Sequence, residues 1–112
     1  MSRQVFDSNQ SVRYPDNTLF YGLIVTVSII STLVTVGITA IKLPTVPLLR
    51  RKFIVIFNNS SNILYIGDST VTTAAGYPVY PRGQMSLAVE DNIDIYGIAS
   101  AGSSDIRVFE GS

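Results

Sequence analysis

The sequence predicts a mainly β protein: a small β-sandwich or jelly-roll-like domain preceded by one N-terminal transmembrane helix. Two observations carry this. From residue 53 onward, short runs of β-branched and aromatic residues alternate with clusters of Gly, Asn, Asp, Ser and Pro, the texture of an all-β domain. Upstream, the run LFYGLIVTVSIISTLVTVGITAI, residues 19–41, contains no charge. The chain therefore divides into a polar segment (1–18), a transmembrane helix (19–41), a Pro-containing basic linker (42–52) and a β-domain (53–112).

The polar segment ends in Asp16-Asn17-Thr18, short polar side chains suited to capping a helix N-terminus. The 23 residues that follow would make a helix of about 35 Å, enough to cross about 30 Å of hydrocarbon. Phe20 and Tyr21 sit where an aromatic belt would place them, and Lys42, Pro44 and Pro47 close the other end. Ser28, Thr32, Thr35 and Thr39 recur at i, i+4, i+7 and i+11, one helical face of small hydroxyl residues and a candidate helix-packing face. Such hydroxyls also bond back to carbonyls of their own helix. The same run is rich in Val, Ile and Thr, which favour strands in water. Two buried strands, or the core helix of a trimeric fibre, are the competing readings. Charge placement supplies a topology: Lys42, Arg50, Arg51 and Lys52 flank the C-terminal end of the span, whereas Arg3 and Arg13 are interspersed with Asp7 and Asp16. The positive-inside rule then places residues 43–112 on the cytoplasmic side, where the triplet Arg50, Arg51 and Lys52 could also touch anionic headgroups.

In the β-domain, Phe53 to Phe57 is a continuous apolar run suited to a central strand. Asn58 to Asn62 is a turn, and Ile63 to Ile66 completes a hairpin. Val71 to Thr73 is a third short strand, Ala74 to Gly83 a loop, and Met85 to Val89 alternates with period 2. Strands over Ile93–Ala99 and Ile106–Phe109 follow. About 60 residues without a disulfide make a marginal core, which argues for packing against other subunits.

Composition removes several classes of chemistry. The sequence has no Cys and no His, so Ser-His-Asp and Cys-His catalysis, the common zinc ligands and disulfides are all excluded. Lys+Arg and Asp+Glu both number 8, so no basic excess points to nucleic acid. Glu90, Asp91 and Asp94 lack EF-hand spacing and read as a solvated turn. Asn58-Asn59-Ser60 and Asn59-Ser60-Ser61 match the N-glycosylation pattern, but their residue types are those of a turn. Tyr77, Tyr80 and Tyr96 suit either half-buried sheet positions or a protein contact. The expectation is a non-enzymatic protein without catalytic residues, cofactor or metal.

The stretch FIVIFNNSSNILYIGDSTVTTAAG, continued by Tyr77-Pro78 and ending in IDIYGIASAGSSDIRVFEG, resembles a small β-domain of bacteriophage virion proteins. The resemblance covers residues 50–111: a strand into an Asn-rich turn, a Tyr-Ile-Gly-Asp-Ser strand end, Val-Thr-Thr, a Gly-containing loop, and two closing strands. It implies a structural role in the particle. The apolar segment departs from the soluble versions and directs the expectation to a membrane-containing bacteriophage. There the chain would be a minor virion protein in the host inner membrane before assembly. Afterwards it would lie at the interface between internal membrane and capsid, anchoring that membrane to the shell or vertex. The expected partners are the lipid membrane, capsid or vertex proteins and further copies in a homo-oligomer, with no nucleic acid. The alternative is an oligomeric spike or fibre-base protein with a hydrophobic helical core and a β receptor-binding head.

Overall fold

The computed structural model describes residues 28–112, and they form eight strands. In chain order these are β1 (Ile29–Val36), β2 (Ile41–Lys42), β3 (Phe53–Asn58), β4 (Leu64–Gly67), β5 (Tyr77–Val79), β6 (Gln84–Leu87), β7 (Tyr96–Ala99) and β8 (Ser104–Gly111). Two antiparallel four-stranded sheets result, ordered β1-β8-β3-β6 and β2-β7-β4-β5. The first strand pairs with the last, the second with the seventh, the third with the sixth and the fourth with the fifth. The described residues thus form a long hairpin, rolled so that its successive pairs fall alternately into one sheet and the other.

Period-2 alternation explains the core. Val34 and Val36 of β1, Ile54 and Ile56 of β3, and Ile106 and Val108 of β8 point inward from the first sheet. Leu64, Ile66, Val79 and Ala99 meet them from the second, and Leu43 and Ile95 join from the connections. β3 is the central strand that its apolar run predicted, lying between β8 and β6.

The transmembrane helix expected over residues 19–41 is corrected where the structure describes it. Residues 29–36 are strand β1, in unbroken register with β8 from Ile29↔Gly111 to Val36↔Ser104, and Ile41 begins β2. The length and missing charge of the run suggested a span, but its Val, Ile and Thr content is the β-branched composition of a strand half-buried against the core. Among the described residues no helix is long and apolar enough to cross a membrane. The rest of that expected helix, 19–27, and the polar segment 1–18 lie outside the described residues. The β-domain accordingly starts upstream of residue 53. The expected linker is an internal part of it, with Leu43 and Arg51 buried.

Two finer expectations also change. Phe53–Phe57 and Ile63–Ile66 are not a hairpin, because β3 and β4 belong to opposite sheets. Val71–Thr73 is not a strand but joins two successive turns: Asp68 Oδ1 accepts from Thr70 N at 2.9 Å, Val71 N donates to Asp68 O at 3.0 Å, and Gly76 N to Thr72 O at 2.9 Å. These local bonds give the backbone an alternative to the ladder. The strand falls instead at Tyr77–Val79, an edge position where the missing N–H of Pro78 is tolerated.

Candidate functional site

The expected membrane-flanking cations are built into the fold. Arg51 is 2% exposed, and its Nη1 donates to Glu110 Oε2 at 2.8 Å. Its remaining nitrogens donate to three carbonyls of the β6–β7 connection: Nε to Val89 at 3.2 Å, Nη2 to Glu90 at 2.9 Å and to Ile93 at 2.8 Å. Glu110 Oε2 also accepts from Leu48 N at 3.2 Å. One guanidinium thus ties the segment before β3, the end of β8 and the β6–β7 connection together at one end of the sandwich. Arg50, at φ 59°, donates its backbone N–H to Asp91 Oδ2 at 2.7 Å. Lys42 lies 3.8 Å from Asp94. Lys52 is exposed. Within the triplet Arg50, Arg51 and Lys52 the expectation of headgroup contact is corrected for Arg51, which is buried in its clamp, while Arg50 and Lys52 are exposed.

Beside this clamp lies an open cleft of about 620 Å³, lined by Arg50, Arg51 and Lys52 on one wall and by residues 88–92 on the other. Its charges are mixed, with Arg50, Arg51 and Lys52 facing Glu90 and Asp91, and the Arg51 guanidinium is already paired with Glu110. No group of three or more Asp or Glu among the described residues could hold a metal ion. Glu90, Asp91 and Asp94 sit in the turn region their composition predicted; Asp91 accepts from the Arg50 backbone N–H, and Asp94 faces the Lys42 ammonium.

A second polar clamp occupies the other end of β3. Asn58 is buried, and its Nδ2 donates to Asn62 O at 2.7 Å and to Val79 O at 2.8 Å. Its Oδ1 accepts from Ser60 N at 3.1 Å and Ser60 Oγ at 2.6 Å. Asn59 Nδ2 donates to Asp105 Oδ2 at 3.0 Å. The Asn-rich stretch is therefore a turn held by its own amides, as its residue types predicted.

The proposed helix-packing face dissolves, because its members no longer share a side. Thr32 points toward the sandwich interior and is half-buried. Thr35 points outward, and Thr39 lies in the bend between β1 and β2. Ser28 meets Ser112, with their hydroxyl oxygens 2.9 Å apart. A spacing of 3.6 residues sorts side chains into one face only if the chain is helical; in a strand, positions 4 apart share a side and positions 7 apart do not.

Sequence reasoning missed the outer face of the first sheet. Ile29 (61% exposed) and Leu33 (56%) on β1 lie beside Phe109 (39%) on β8 and half-buried Phe53, Val55 and Phe57 on β3. The Phe53 and Phe109 rings pack with centroids 6.1 Å apart. Gly111 belongs to the same packing, since a Cβ there would strike the Phe53 ring. The signal was present in the sequence as a continuous apolar run at 53–57, which places apolar residues on both faces of one strand.

No protein-family model, curated protein or solved structure matches the chain.

Proposed function

We propose that the protein is a minor structural component of a bacteriophage particle, a non-enzymatic subunit seated in the capsid shell or at a vertex. The observation that carries this reading is the strand order. Sheets ordered β1-β8-β3-β6 and β2-β7-β4-β5, formed by rolling one long hairpin, have the connectivity of a jelly roll, an architecture used by viral capsid domains as well as lectins and cupins. The fold alone does not choose among these uses. The resemblance of residues 50–111 to phage virion β-domains makes the choice.

The clamps support the same reading. Both buried polar clusters tie loops to strands and leave a rigid block, as an assembling subunit requires. The helical membrane anchor is not retained. With β1 and β2 in the sheets, the apolar run left upstream of Ser28 is residues 19–27, which supply about 14 Å even when fully helical, against about 30 Å of hydrocarbon.

Quantitative mass spectrometry of purified particles of the encoding phage tests this. The expected result is a fixed copy number per particle, retained with the protein shell after detergent treatment. Absence from the particles, or complete removal with the lipid fraction, overturns the proposal.

A further inference from the structure

The four edge strands of the two sheets differ in how they are protected. β2 has two residues and carries Lys42; β5 has three and carries Pro78; β6 has four and follows Pro81 and Arg82. Each is short, charged or interrupted by proline, the usual defences of an exposed edge. β1 has none of them. It is eight residues long, IISTLVTV, without charge, proline or bulge, and no described strand pairs with its outer side.

The register states which backbone groups are open. Ser112 N donates to Ser28 O at 2.9 Å, so residues 28 and 112 form a hydrogen-bonded pair. By alternation, Ile30, Thr32, Val34 and Val36 bond to β8, while the N–H and C=O groups of Ile29, Ser31, Leu33 and Thr35 face away from it. The side chains of these same four residues point to the outer face and are exposed.

We infer that β1 pairs antiparallel with β1 of a second copy about a two-fold axis at Thr32, joining two first sheets into one of eight strands. This inference stands apart from the virion reading and needs only the edge. Its occupant is chosen by charge and shape. The strand is neutral and its outward neighbours Asp105 and Arg107 bond to each other at 2.8 and 2.9 Å, so two copies meet without like-charge opposition. In the register centred on Thr32, Ile29 of one copy lies opposite Thr35 of the other, and Leu33 opposite Ser31, a large residue against a hydroxyl each time. The four outward-bonding residues of each copy then exchange about eight hydrogen bonds. On the inner side Thr32 meets its own counterpart, and Ile30, 45% exposed in the single chain, meets Val34. The ladder is about 24 Å long.

Sedimentation equilibrium of the full chain, from about 1 µM to about 1 mM, reads this association at the weak end of specific interfaces. The expected result is a monomer–dimer equilibrium. Ser31→Pro removes only an outward N–H and should weaken the dimer at least about tenfold, with the β circular dichroism retained. Leu33→Lys, which puts a charge on the edge, should do the same and stands in if Ser31→Pro fails to fold. Because the sequence has no Cys, Thr32→Cys should oxidise to a disulfide-linked dimer, since it faces itself in a close, non-hydrogen-bonded pair. Thr35→Cys should not. A chain that stays monomeric at every concentration overturns the inference. So does a dimer untouched by both edge variants, or Thr32→Cys chains that remain uncrosslinked in a dimerising sample.

Discussion

Replacing Arg51 by Met tests the clamp that organises one end of the sandwich. The substitution keeps an apolar stem and removes the guanidinium. Glu110, with no exposure, then keeps only the Leu48 N–H on Oε2, while Oε1 has no partner in either case. Removing one member of a buried ion pair costs about 3–5 kcal/mol, because the other is left as an uncompensated charge. The carbonyls of Val89, Glu90 and Ile93 also lose their donors. Glu90 and Ile93 are exposed, so water replaces part of that loss. A small domain has about 5–15 kcal/mol in total, so Arg51→Met should consume a large fraction of it. In urea, at a slope of about 1.5 kcal/mol per molar, the midpoint should fall by about 2–3 M, followed by tyrosine fluorescence and far-ultraviolet circular dichroism. The double variant Arg51→Met, Glu110→Met removes the stranded carboxylate and should recover much of the difference. It should not recover all, because the carbonyls stay without their donor. An Arg51→Met stability within about 0.5 kcal/mol of the parent would refute the idea that this pair holds the connections together.

Asn58→Ala strands the carbonyls of Asn62 and Val79 and should destabilise the domain by about 1–3 kcal/mol in the same urea assay. Gly97→Ala puts a methyl group 2.5 Å from Leu43 Cδ1 and 3.1 Å from Leu64 Cδ1, both in the core, so a loss of about 1–3 kcal/mol by thermal melting is expected. The Asp105 carboxyl is held below its ordinary value of 3.8, chiefly by the hydrogen bond from Arg107. A lowered folded-state pKa stabilises above the unfolded value and is lost as the pH falls through the folded one. Melting temperatures recorded between about pH 5 and pH 2 should therefore drop less in Asp105→Asn than in the parent. An equal or steeper drop in the variant would show that the Asp105–Arg107 pair contributes nothing.

Much of the β-domain was legible because strand runs and turn clusters alternate in the sequence. The apolar run at 53–57 marked the central strand, and Asn58 to Asn62 marked a turn. What failed, failed for identifiable reasons. Residues 29–36 carry no charge because β1 is buried on one face and bare on the other, a composition that a lipid-facing helix shares. Hydropathy alone does not separate the two, whereas the density of Val, Ile and Thr pointed to the strand. Arg51 was misread because a buried guanidinium with a carboxylate partner 59 residues away leaves no local mark. The sheet partners of β3 and β4 were misassigned because adjacency in sequence favours a hairpin, whereas rolling sends consecutive strands to opposite sheets. The strand expected at 71–73 was displaced by the turn at Asp68, whose side chain accepts from the Thr70 hydroxyl at 2.7 Å.

Residues 29–36 form a strand of the sandwich rather than part of a membrane helix. A paired-cysteine variant, Leu33→Cys with Arg107→Cys, measures this directly, since the sequence contains no other Cys. Leu33 and Arg107 are Cα partners in the β1–β8 ladder, at a non-hydrogen-bonded position with both side chains outward. The two thiols are expected to oxidise within one chain in detergent-free buffer, seen by mass spectrometry as a loss of about 2 Da in the monomer. Two thiols that stay free in a sample with β circular dichroism, in a chain that detergent is needed to keep in solution, would contradict it.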